Sequence, residues 1–111
     1  MLRVTTTAYP DTTQRVELDG AVYSMRLRWT ERAGAWHMDL ADSDGLAIVQ
    51  GIRLVTLHPL LRRYRHLAVP PGELILIDAK DQGGKPTLEE MGERYRLYYV
   101  TAAELAATGG T

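Results

Sequence analysis

The chain contains no cysteine and no phenylalanine, and its opposite charges nearly cancel. Without cysteine it has no disulfide, no thiol nucleophile and no cysteine-ligated zinc site. The 13 Lys and Arg residues against 14 Asp and Glu residues give a net charge of −1, which provides no overall attraction to nucleic acid or anionic lipid. No apolar run approaches the roughly 20 residues of a membrane helix. We therefore expect no metal, no other cofactor and no membrane partner.

Apolar residues recur mainly at every second position, which is the pattern of half-buried strands. The pair Asp19-Gly20 lies between two such runs and predicts a two-residue hairpin turn. Further strands are predicted at 22–30, 35–41, 46–55, 73–79 and 93–100. Candidates for short helical turns are 60–65, 88–91 and the residues after Thr101; the last two have the spacing of capping boxes, Thr87 with Glu90 and Thr101 with Glu104. The expected fold is mainly β, a small antiparallel barrel or sandwich of about six to seven strands with one or two short helical turns. We expect one domain over 1–111, with a core at about 13–106 and flexible ends.

Both tryptophans lie in one stretch, RWTERAGAWHMDL, on either side of a Gly-containing corner. A four-residue loop over 31–34 would place Trp29 opposite Trp36 and align the apolar residues of both strands on one face. The same register places Arg28 opposite His37 on the other face and Arg26 opposite Asp39. The following run, 46–55, is apolar on both faces, which predicts a central strand or a strand that changes face at Gly51.

Three short motifs resemble functional sites but fit ordinary structure better. His37 and Asp39 have a metal-like spacing, yet the neighbouring arginines favour a cross-strand ion pair. The stretch DSDG at 42–45 lacks the later Glu of a calcium loop and predicts a turn. The stretch KDQGGKP at 80–86 lacks the phosphate-loop pattern. No Ser, His and acid follow a recognisable catalytic order, so no catalytic residue is assigned.

The basic, aromatic-bearing stretch HPLLRRYRH, residues 58–66, is the candidate interaction site, and we call it the arm. Its arginines could grip phosphates while Tyr64 stacks on a base, as in single-stranded nucleic-acid binding. Arg and Tyr are equally typical of protein interfaces, and the acidic segment 78–93 offsets the charge of the arm. The protein-contact reading is favoured, and the predicted interface residues are Arg53, His58, Arg62, Arg63, Tyr64 and Arg65.

Five stretches follow one another along the chain: YSMRLRWTERAGAWHMDL, GIRLV, PLLRRYR, PPGEL and RYRLYYV. In this order and spacing they resemble the baseplate plug proteins of contractile-tailed phages, of the type in a cyanophage tail. The likeness covers about residues 13–106. It implies a structural, non-enzymatic subunit in the virion tail baseplate, present in several copies and contacting the hub, spike and tube. The first residues, MLRVTTTAYPD, lack the apolar stretch of a signal peptide. We therefore expect synthesis in the host cytoplasm. A single-stranded nucleic-acid-binding β-barrel is the alternative, and a small-ligand or enzyme domain is a third hypothesis.

Overall fold

The computed structural model describes residues 1–80 and 86–107. Within these residues the chain forms seven strands, one 3₁₀ helix and one α-helix. The elements in chain order are β1 (Leu2–Val4), β2 (Asp11–Leu18), β3 (Ala21–Thr30), β4 (Ala35–Asp42), β5 (Ala47–Arg53), a 3₁₀ helix (Arg62–Tyr64), β6 (Glu73–Asp78), β7 (Tyr95–Val100) and α1 (Ala102–Ala107). The mainly β prediction is therefore confirmed.

Strands β2 to β5 form an antiparallel meander, the four-stranded sheet. Asp19 and Gly20 make the predicted tight turn, with φ of 52° and 81°, the positive values that a type I′ turn requires. The predicted register of the tryptophan hairpin is confirmed, because Trp29 pairs with Trp36 and Arg28 with His37. The two indole rings meet edge to face, with centroids 5.8 Å apart. Such a pair contributes about 0.5–1.5 kcal/mol beyond the buried area.

The second sheet has three strands in the order β1-β7-β6, all antiparallel. Strand β1 was not assigned from the sequence, and it pairs Leu2 with Tyr99 and Val4 with Leu97. Residues 11–13, which lie at the boundary of the predicted flexible N-terminal end, belong to β2. The first strand of the chain thus completes a sheet whose other members come from its last third, while the mobility of the ends stays a prediction.

Strand β5 lies at the edge of the four-stranded sheet, so the prediction of a central strand is wrong. The alternative, a change of face at Gly51, is correct. Gly51 has φ of 76°, and the pairing shifts between Leu40↔Val49 and Met38↔Ile52. This bulge keeps both Val49 and Ile52 buried although they are three residues apart. The run has apolar residues at both odd and even positions because the bulge shifts the core-facing positions from Val49 before Gly51 to Ile52 and Leu54 after it.

The two sheets share one hydrophobic core. The four-stranded sheet contributes mainly Met25, Leu27, Trp36, Met38 and Leu40, and the three-stranded sheet contributes Leu74, Leu76, Tyr95, Leu97 and Tyr99. Over residues 1–80 and 86–107 the sheets do not close into a barrel. Of the two architectures that the sequence left open, the open two-sheet arrangement is the one observed.

Two capping predictions are also confirmed. The Thr87 hydroxyl accepts the backbone N–H of Glu90 and donates to the Glu90 carboxylate. At the start of α1, Thr101 and Glu104 exchange the reciprocal bonds of a capping box, each at 3.1 Å. Neither helical segment in the described part of the chain has the length and hydrophobicity needed to span a membrane.

Candidate functional site

The arm is attached to the body by a segment that connects the two sheets. Leu54 donates its backbone N–H to Trp36 on β4, whereas Leu57 and Leu60 donate theirs to Leu76 and Leu74 on β6. Leu54 and Leu60 are almost fully buried. The segment therefore covers the outer edge of β6, and it fixes where the arm leaves the protein.

Glu73 holds the base of the arm. Its side chain is buried, and its Oε1 accepts the backbone N–H groups of Leu61 at 2.6 Å and Leu74 at 3.0 Å. Arg65 donates to Glu73 Oε2 at 3.3 Å, to the Pro70 carbonyl at 2.6 Å and to the Gly72 carbonyl. The guanidinium of Arg65 is thus engaged in holding the loop together. The remaining arm arginines project from a base that is fixed by hydrogen bonds.

Four of the six predicted interface residues line one cavity between β5 and the arm. Arg53, His58, Arg63 and Tyr64 surround a volume of about 170 Å³, together with Ile52, Val55, Pro59 and Leu60. The lining contains no carboxylate from the described residues. We call this space the basic cavity. Residues from two separate stretches thus meet, which the sequence alone did not indicate.

The other two predicted residues, Arg62 and Arg65, do not line the basic cavity. They line a second cavity of about 340 Å³ with Pro59, Pro71, Glu73, Ile75 and Leu105. The predicted residues therefore do not form one continuous basic groove. Their role in an interface stays a prediction.

Arg53 and the arm residues Arg62 and Arg63 differ from most other arginines, because their side chains have no partner among the described residues. Ion pairs to carboxylates engage Arg26, Arg28, Arg65 and Arg94. No described residue makes a hydrogen bond or ion pair with the side chains of Arg53, Arg62 or Arg63, all of which are exposed. Tyr64 is half-buried with its ring packed on the core. Because the core covers part of this ring, less of its surface is free for a nucleic-acid base to stack on.

The His37 and Asp39 pair is structural, as the ion-pair reading predicted. Asp39 accepts two bonds from Arg28, at 3.1 and 3.3 Å, and the backbone N–H of Gly51 at 2.8 Å. Partial burial alone would raise the pKa of Asp39, but these donors outweigh it and lower that pKa. The pairing is diagonal, because Arg26 bonds instead to Asp11.

His37 Nδ1 lies 2.9 Å from the Thr30 hydroxyl. Burial, followed by the charges of Arg28 and Arg53, lowers the pKa of His37. Across residues 1–80 and 86–107, no three His or acidic residues cluster as a metal site would require.

The Asp42 segment forms the predicted turn. Asp42 Oδ1 accepts the backbone N–H groups of Asp44 and Leu46, each at 2.9 Å. This carboxylate therefore folds back on its own loop. The phosphate-loop stretch at 80–86 falls mostly on residues 81–85, outside the described residues.

Sequence reasoning missed one feature beside the basic cavity. Leu57 has φ of 57°, the left-handed region that a leucine rarely adopts, and the residue is 72% exposed. Its neighbour Val55 is 44% exposed. A sequence pattern assigns apolar residues to the core, so only coordinates could place these two at the surface.

The family of the chain was tested by comparison with known proteins. A search of curated proteins found no match. A family model described as "Cyanophage baseplate Pam3 plug gp18" matches residues 1–102 of the 111. That span includes both sheets and the arm. Because the match covers nearly the whole chain, the chain belongs to this family of phage baseplate plugs, with a structural role in the tail baseplate.

Proposed function

We propose that the chain is a non-enzymatic plug subunit that contacts the hub, spike and tube of the tail baseplate through its arm. The observation that supports this proposal is the set of exposed arginines on the arm, Arg62 and Arg63 with Arg53 beside them, for which no partner lies among the described residues. Arginine is enriched at protein interfaces because its planar group pairs with carboxylates and packs on aromatic rings.

The attachment of the arm supports the same role. Since Glu73 and Arg65 fix the base of the arm, the backbone that carries Arg62 and Arg63 has less conformational freedom to lose on binding. Preorganisation of this kind raises affinity by reducing the entropy cost of association.

Charge reversal on the arm tests the proposal. The double variant Arg62→Glu/Arg63→Glu leaves the half-buried Tyr64 in place, so the isolated domain should keep its circular dichroism spectrum and melting temperature. We expect this variant to fail to enter assembled tails, and to fail to copurify with the neighbouring baseplate proteins when they are expressed together.

The matched control reverses two exposed cations outside the arm and outside the edge strands β2 and β5, in Arg32→Glu/Lys80→Glu. This control changes the net charge by the same amount and should assemble normally. Assembly of the arm variant at the wild-type level would refute the proposal. Equal failure of both variants would mean that overall charge, rather than the arm, governs incorporation.

We further propose that several copies assemble in each baseplate after synthesis in the host cytoplasm. Among the described strands, β2 and β5 form the outer edges of the four-stranded sheet. An exposed edge can pair with a strand of another chain. Counting the copies in a cryo-EM map of the assembled tail tests this, and a single copy per baseplate would contradict it.

A further inference from the structure

The basic cavity has the size of one side chain. Pockets for drug-sized ligands measure roughly 300–1,000 Å³. The basic cavity, at about 170 Å³, is too small for a nucleotide or a metabolite of that class. It is open to solvent, and two arginines and a histidine stand around it. The group that fits such a space is a small anion, or an anionic side chain inserted from another molecule.

The chemistry of the lining favours a carboxylate. Arg53 and Arg63 approach the cavity from β5 and from the arm, and no described acid neutralises either one. Guanidinium groups bind carboxylates through paired, charge-assisted hydrogen bonds. The charge of Arg53 is felt at the cavity end of the sheet, since it contributes to lowering the pKa of His37 after burial and Arg28.

The surroundings of the cavity favour a peptide over a nucleic acid. Val55 and Leu57 are exposed apolar residues in the segment that lines or adjoins it. Nucleic-acid channels instead combine a continuous basic groove with aromatic platforms. Here Arg65 is bound to its own loop, Arg62 faces the other cavity and Tyr64 packs on the core.

The backbone of Leu57 supplies an independent observation. A non-glycine residue in the left-handed region costs about 1–3 kcal/mol, and such strain is concentrated at binding sites. The N–H group of Leu57 donates to Leu76 at 2.8 Å, which holds this conformation, while the side chain points into solvent. Burial of that side chain against a partner would give the strained, exposed leucine a function that the isolated domain does not explain.

We propose that the basic cavity receives a glutamate or aspartate side chain from an acidic segment of a neighbouring baseplate protein. Leu57 packs against an apolar residue of the same segment. This inference rests on the proposed function, because it names the chemistry by which the arm recognises its partner. It also divides the arm, since Arg63 belongs to the recognition site and Arg62 does not.

A titration followed by ¹H–¹⁵N NMR tests the inference on the whole chain. The probe is a synthetic capped peptide, GSELELSG, compared with its amide counterpart GSQLQLSG and with an eight-residue oligothymidylate. We expect the glutamate peptide to shift the amide signals of residues 52–64 and to bind at least tenfold more tightly than the glutamine peptide. Tenfold is the factor that one charge-assisted hydrogen bond provides.

Variants locate the site. Arg63→Glu should weaken binding of the glutamate peptide about tenfold or more, again the factor of one lost charge-assisted bond. Arg62→Glu should have a clearly smaller effect, and the control Arg32→Glu none. Leu57→Gly should weaken binding severalfold while the melting temperature of the isolated domain stays equal or rises, because glycine relieves the left-handed strain. A residue with only a structural role would not lower binding while preserving stability.

Three results would overturn the inference: equal binding of the two peptides, equal losses in Arg62→Glu and Arg63→Glu, or binding of the oligothymidylate alone at the same residues. The proposed function fails separately. If Arg62→Glu/Arg63→Glu blocks tail assembly but the glutamate peptide does not bind, the arm remains an interface and the carboxylate site is wrong. If that double variant assembles normally, the proposal that the arm is an interface is wrong.

Discussion

Removing the buried carboxylate in Glu73→Ala should strongly destabilise the protein. The substitution leaves the N–H groups of Leu61 and Leu74 without their acceptor, and both residues are fully buried. A buried donor without a partner costs about 1–3 kcal/mol, so the expected loss for the two donors is about 2–6 kcal/mol of the free energy of unfolding. A domain of this size has about 5–15 kcal/mol in total, so the variant should fold but unfold at lower denaturant.

The ion pair of Glu73 should contribute little to that loss. The side chain of Arg65 is 39% exposed, and its distance to Glu73 is 3.3 Å. Solvent screens such a pair to about 0–1 kcal/mol. A double-mutant cycle of Glu73→Ala and Arg65→Ala should therefore give a coupling energy below about 1 kcal/mol, because the main cost lies in the backbone donors.

Urea unfolding followed by the fluorescence of the two tryptophans measures both quantities. Glu89→Ala is the matched control, since Glu89 is an exposed glutamate for which the described residues give no hydrogen bond. It should stay within about 0.5 kcal/mol of wild type. A loss in Glu73→Ala no larger than this control would refute the role assigned to the buried carboxylate.

The remaining predictions concern pH and packing. Because the pKa of His37 is lowered in the folded state, its contribution to stability is present above the unfolded pKa of about 6.5 and is lost as pH falls through the folded pKa. Urea unfolding at several pH values should thus show that the free energy of unfolding decreases below about pH 6.5, and that it decreases less in His37→Gln. Identical pH profiles for the wild type and this variant would contradict a lowered pKa of His37. Gly72→Ala should lower the free energy of unfolding by at least about 1–3 kcal/mol, because the added Cβ would overlap the Val100 carbonyl and the Tyr99 hydroxyl. An unchanged melting temperature would show that this contact can relax.

Local geometry was the part of the fold that the sequence predicted well. The Asp19-Gly20 turn, the facing of Trp29 and Trp36, and the capping by Thr101 all depend on residues close together in the chain. For a hairpin with a known loop length, the two-residue period leaves one register that buries both apolar faces. These features therefore follow from short-range chemistry.

The candidate site was predicted only in its composition. The sequence grouped six residues as one basic surface, whereas the structure divides them between two cavities. Part of that division follows from Glu73, a strand residue that binds Arg65 and so engages one of the arm cations. The exposed Leu57 was equally invisible, because its position depends on a hydrogen bond to β6.

The sequence by itself determined the strands, their turns and the pairing of neighbouring strands, since alternation of apolar and polar residues and the glycine positions act within each hairpin. Only the tertiary structure decided that β1 joins β7, that β5 lies at an edge and that the sheets remain open. Those outcomes depend on contacts between strand edges and apolar faces that are far apart in the sequence. Several such pairings are compatible with the same local pattern, so the pattern alone does not select one.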